Sequence, residues 1–108
     1  MTNNEFFETI YKPYQEQHMT AGTSYIRCNI IKNRLLEQFG GESPNDISYL
    51  MIESIYDNME NQHLKQNTVF GTYAALYSFF RMAVEHDECA ENPVKYARTI
   101  SADIVGRN

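Results

Sequence analysis

Four breaks punctuate the sequence. Between them the apolar residues recur at helical spacing, with no sustained alternation of the kind a half-buried strand requires. The breaks are Gly22 with its neighbours, the stretch Gly40-Gly41-Glu42-Ser43-Pro44-Asn45-Asp46, the polar stretch Asn61 to Asn67, and Asn92-Pro93. Such a chain buries its apolar stripes by packing helix on helix, so the expectation is an all-α fold of four helices and no sheet. The 108 residues suffice for one compact core. A composition of 43% hydrophobic and 21% charged residues excludes disorder as the default state.

The first helix is expected over about Asn4 to Gln17, with Phe6, Phe7, Ile10, Tyr11 and Tyr14 inward and Pro13 forcing a kink or a restart. The second runs from about Thr23 to Phe39 with Ser24, Cys28, Ile31, Leu35 and Phe39 on one face, and Gly40 stops it. Ser48 is placed to cap the third, whose buried stripe is Ile52, Ile55, Tyr56 and Met59. The fourth starts near Asn67 or Thr68 and continues to about Glu85, burying Val69, Tyr73, Leu76, Phe80, Ala83 and Val84. Asn92-Pro93 then redirects the chain into a tail, Val94 to Asn108.

No apolar run approaches the roughly 18 residues of a membrane span, and the N-terminus lacks a basic region followed by an apolar stretch. A cytoplasmic protein is expected. Cys28 and Cys89, 61 positions apart, form neither a disulfide framework nor a zinc pair and are read as free thiols.

The net charge of −5 speaks against nucleic acid only if the acids face the ligand. They are unevenly spread: residues 1 to 20 carry −2, 21 to 40 carry +2, 41 to 62 carry −5, 63 to 80 carry +1 and 81 to 108 carry −1. Arg27, Lys32, Arg34 and Lys65 thus gather on the second helix and the approach to the fourth, with Glu37 as the one acid. Attraction for phosphate is set by this local field, because screening removes charges beyond about 8 to 10 Å.

On the second helix Thr23, Arg27, Ile30 and Arg34 share an edge, an arrangement able to follow a phosphate backbone or to lie as a solvated flank over apolar surface. From Gln66 to Phe80 there are 15 residues without a formal charge, and the side turned from the expected core reads Gly71, Ala74, Ser78 and Arg81. A glycine inside a helix costs about 1 kcal/mol relative to alanine, so something comes close at Gly71. A DNA backbone, with hydroxyl contacts from Thr68 and Thr72, and a neighbouring helix are both open readings. The candidate DNA-binding residues are Thr23, Arg27, Arg34, Lys65, Thr68, Gly71, Thr72 and Ser78.

His18, His63 and His86 are far apart, and only Cys89 follows one of them at close spacing, so no metal is expected. No glycine-flanked nucleophile turn or phosphate loop occurs, no cofactor is implied, and the chain by itself is not read as an enzyme.

The order of landmarks resembles the N-terminal core-binding domain of tyrosine recombinases, the SAM-like domain of the phage integrase family. The landmarks are Thr23 before Ile30-Ile31-Lys32-Asn33-Arg34-Leu35-Leu36-Glu37-Gln38-Phe39-Gly40, Asp46-Ile47-Ser48, Asn67-Thr68, the run Ala75 to Val84, and Glu91-Asn92-Pro93. The resemblance spans nearly the whole chain. It implies a compact orthogonal bundle over 1–93, with 94–108 starting a linker to a catalytic domain not present here. It further implies that the second and fourth helices meet double-stranded DNA at a recombination core site. Thr23 and Thr68 match the hydroxyl residues that open those helices. Strand cleavage by a tyrosine would belong to the other domain, and the isolated domain is expected to be a monomer. The sequence departs from the family in having Phe70, Gly71 and Thr72 where asparagine and arginine are common, and Tyr77 at another basic position. The alternative from a different class is a stand-alone helical adaptor docking protein on the Gly71, Ala74 and Ser78 surface.

Overall fold

The computed structural model describes residues 1–62 and 66–97, with the side chains of Gln66 and Asn67 excepted. Four helices account for most of it, and no strand occurs among the described residues. We label them α1 (residues 3–18), α2 (residues 21–39), α3 (Tyr49–Asn61) and α4 (Gln66–Glu85). Short 3-10 turns at Pro44–Asp46 and Pro93–Tyr96 follow α2 and α4. Residues 98–108, most of the expected tail, lie outside the described residues.

Helix α1 starts in a capping box: the Thr2 hydroxyl accepts the Glu5 N–H, and the Glu5 carboxylate accepts the Thr2 N–H. Pro13 does mark a restart. Lacking an N–H, it cannot bond the Thr9 carbonyl, and the preceding turn Phe7–Tyr11 is a wide π turn in which the Lys12 N–H reaches back to Phe7. A π turn holds one extra residue, so the inward stripe shifts by one position after it. Phe6, Phe7 and Tyr11 are buried as expected, but Tyr14 is 38% exposed and stacks on His18, while Gln15 takes the interior place at 1% exposure.

Helix α2 opens one turn earlier than Thr23: Thr20 is the cap, its hydroxyl accepting the Thr23 N–H and donating to Thr23 Oγ1. A second π turn, Ile31–Leu36, lies opposite the first, and the Lys32 ammonium sits 5.7 Å from the centre of the Phe7 ring. Gly40 ends the helix for a reason other than a left-handed cap, since its φ is −60°. A Cβ there would lie 2.5 Å from Asn4 Oδ1 and 2.6 Å from the Leu36 carbonyl oxygen. The N-terminus of α1 is seated on this turn: Asn3 N–H donates to the Glu42 carbonyl, Asn4 N–H to Gly40, and Asn3 Nδ2 to Phe39. Orphan donors of one helix thereby satisfy orphan acceptors of another.

Helix α3 buries Ile52, Ile55, Tyr56 and Met59, the stripe its spacing predicts, behind a Ser48 cap. Helix α4 is central. Val69, Thr72, Ala75, Leu76, Phe79, Phe80, Met82 and Ala83 are all buried on one broad face, and Tyr73, Tyr77 and Val84 pack partly buried beside it. A helix covered on most sides has no place for charges, which explains its 15-residue neutral run. Phe79 makes ring contacts with Phe6, Tyr11 and Phe80 at 5.1 to 5.3 Å between centroids. Each such pair contributes about 0.5–1.5 kcal/mol beyond area burial. The helix closes in a Schellman turn with Asp87 at φ 59°, the Glu88 N–H reaching the Ala83 carbonyl. Asn92 then caps the last 3-10 turn and ties it to the Tyr77 carbonyl through Nδ2. None of the helices described is long and apolar enough to cross a membrane.

Candidate functional site

Charge is segregated by helix. Residues 21–39 of α2 hold Arg27, Lys32 and Arg34 against Glu37, whereas α3 carries Glu53, Asp57 and Glu60 with no basic residue, and α4 has one of each sign. The flank of α2 that holds Arg27 is the one that meets α4. Ile30 lies on that flank, and its Cδ1 is 3.5 Å from where a Gly71 side chain would begin.

Of the two open readings at Gly71, the neighbour is a helix of the same bundle. The expected outward surface of α4 is revised accordingly. Gly71 faces Ile30 of α2, and Ser78 faces α1, its hydroxyl 3.0 Å from Tyr11 Oη while donating to the Ala75 carbonyl. Ala74 and Arg81 are exposed as expected, joined by Phe70 at 40% exposure.

Thr72 is a correction. It is 0% exposed, and its hydroxyl donates to the Thr68 carbonyl one turn back, so it cannot touch a phosphate. Ser78 is likewise committed internally. A face estimate based on charge alone misplaced both, because small hydroxyl residues satisfy themselves within a helix and pack where the core is tight.

Arg34 is half-buried and spends one guanidinium N–H on Gln62 Oε1, 3.0 Å away at the end of α3. It stands in a polar cleft with Glu37, Asn58 and Gln62, not on a free ridge. Arg27 is half-buried without a hydrogen bond or ion pair among the described residues. Thr23 and Thr68 are each the third residue of their helices; Thr23 is partly accessible and Thr68 exposed. Lys65 lies outside the described residues.

The structure therefore leaves Thr68 exposed and Thr23 and Arg27 partly accessible, and places Gly71 at the α2–α4 contact. It removes Thr72 from the surface, commits the hydroxyl of the part-buried Ser78 to Tyr11 and Ala75, and turns Arg34 toward α3. Phe70 and Ile26, the latter 58% exposed, are accessible apolar residues that the charge division gave no reason to notice. Their signal was present as apolar positions off the helical stripe.

The two thiols are buried and unpaired. Burial pushes both above their ordinary range; a hydrogen bond with Ser24 offsets part of the effect at Cys28, and a backbone hydrogen bond with Glu91 part of it at Cys89. Neither is an activated nucleophile. No protein-family model, curated protein or solved structure matches the chain.

Proposed function

We propose that this domain grips double-stranded DNA as the core-binding part of an integrase-type recombinase, contributing position and orientation while chemistry belongs to a separate domain. The observation that carries the reading is the contact of Ile30 with Gly71, which brings the basic helix α2 against α4 on the flank of α2 that bears Arg27. Thr23 and Thr68 offer hydroxyls near the starts of these two helices. The acids Glu53, Asp57 and Glu60 sit on a different helix, α3, so the net charge of −5 is not concentrated on α2 itself.

Few free cations remain there, so the grip is weak and positional, set by phosphate contacts and close approach more than by base reading. The adaptor reading needs the surface of Gly71, Ala74 and Ser78, where Ile30 lies against Gly71, Tyr11 binds the Ser78 hydroxyl, and Ala74 is the exposed one of the three. An anisotropy titration with a labelled duplex at low salt tests the proposal. Binding at tens of micromolar or tighter is expected, and no binding in that range would overturn it. A catalytic domain encoded in frame after Asn108 would support the same reading from an independent direction.

A further inference from the structure

A groove of about 440 Å³ runs between α1 and α2, within the range of about 300–1,000 Å³ typical of small-molecule sites. Lys12 and Glu16 border it from α1, and Tyr25, Asn29 and Lys32 from α2, over a floor that includes Cys28. Two ammoniums against one carboxylate make its walls net positive. One of the two is held in place, because Lys32 sits over the Phe7 ring.

Tyr25 is 70% exposed, an aromatic ring that core packing does not use. Its place in the sequence, two residues before Arg27, puts it on the opposite side of α2 from the flank that meets Gly71. The groove is thus separate from the surface assigned to duplex DNA. The thiol on its floor is kept protonated by burial, so the floor is neutral and suited to binding, not to covalent chemistry. A second groove of the same volume, beneath Tyr96, is lined by Glu91 and no cation. A third groove, of about 400 Å³, holds Arg81 and Lys95 near Tyr96, but Glu85 and Glu91 balance them, so of these three grooves the one between α1 and α2 alone has net-positive walls beside an exposed ring.

We propose that the α1–α2 groove binds a small planar anion, a ring bearing one phosphate or carboxylate group. The anionic group pairs with Lys12 and Lys32, the ring lies against Tyr25, and the Asn29 amide meets the ring's polar edge. This inference goes beyond duplex binding and does not depend on it.

The test is an amide-shift titration of the ¹⁵N-labelled chain with four probes: thymidine 5′-monophosphate, indole-3-carboxylate, thymidine and inorganic phosphate. At least one of the two ring anions should shift Tyr25, Cys28, Asn29 and Lys32 saturably, and which one does so names the source of the ligand. Thymidine and phosphate should bind roughly tenfold more weakly or worse, since each lacks half of the match. Lys12→Gln combined with Lys32→Gln, and separately Tyr25→Ala, should each weaken binding by roughly tenfold with an unchanged helical spectrum. The proposal is overturned if neither ring anion shifts these amides at about 5 mM. It is equally overturned if phosphate alone binds as tightly, or if the variants fold normally and bind unchanged. A negative duplex titration alongside a positive result here would remove only the DNA reading.

Discussion

The Tyr11 hydroxyl lies 3.0 Å from Ser78 Oγ, and because Ser78 donates to the Ala75 carbonyl, Tyr11 is the donor in that pair. The bond joins α1 to α4 at the edge of the Phe79 aromatic cluster. Ser78→Ala would leave the Tyr11 hydroxyl buried without an acceptor, at a cost of about 1–3 kcal/mol. Tyr11→Phe should cost less, since Ser78 keeps its bond to Ala75. Urea unfolding checks this: the midpoint falls for Ser78→Ala at unchanged slope, and DNA affinity stays as in the parent chain.

Gly71→Ala should stabilise the protein by about 0.5–1 kcal/mol. The new Cβ meets Ile30 Cδ1 at 3.5 Å, an ordinary contact, and the helix loses an entropic liability. Gly40→Ala has the opposite sign, because its Cβ would press on Asn4 and on the Leu36 backbone carbonyl. Thermal melts of the two variants should move in opposite directions.

Arg27 and Arg34 separate in the same way. Arg27→Ala should weaken duplex binding and reduce the slope of log affinity against log salt by about 1, with little change in melting. For the parent chain that slope should be roughly −3 to −4, the value for three to five phosphate contacts. Arg34→Ala should act mainly on stability, by about 0.5–1.5 kcal/mol, through the lost Gln62 bond. Melting curves paired with titrations at two salt concentrations distinguish these outcomes.

Much of this fold is legible in the sequence. The stripe Ser24, Cys28, Ile31 and Leu35 on α2 and the stripe Ile52, Ile55, Tyr56 and Met59 on α3 are buried as their spacing requires. Helix α1 is misread only after Pro13, where the π turn shifts the register and exchanges Tyr14 for Gln15. The candidate surface is less legible. A neutral run reads equally as an outward face awaiting a partner or as a helix enclosed by its own bundle, and α4 is largely the second. Thr72 and Ser78 carry no mark in the sequence to tell a hydroxyl that bonds its own helix or a neighbouring tyrosine from one offered to a ligand.

The alkaline limb of stability has a defined sign. Burial raises Tyr11 above its ordinary range, so the stability from its neutral form is complete below the unfolded phenol value of about 10. It is lost as pH rises from there through the folded value. Cys28 and Cys89 act alike from about 8.5 upward. Melting temperature should therefore fall above about pH 9, and Tyr11→Phe should flatten the part above about 10. In the native state at pH 8 both thiols should react slowly with an aromatic disulfide, and rapidly once denatured.

The central claim is that the α2–α4 surface faces the duplex and α3 faces away. An amide-shift map of the labelled chain with a short duplex at low salt tests it most directly. The account predicts saturable shifts at Thr23, Arg27 and Thr68 and none along Glu53 to Glu60. Shifts centred on α3, with α2 and α4 unmoved, would contradict it.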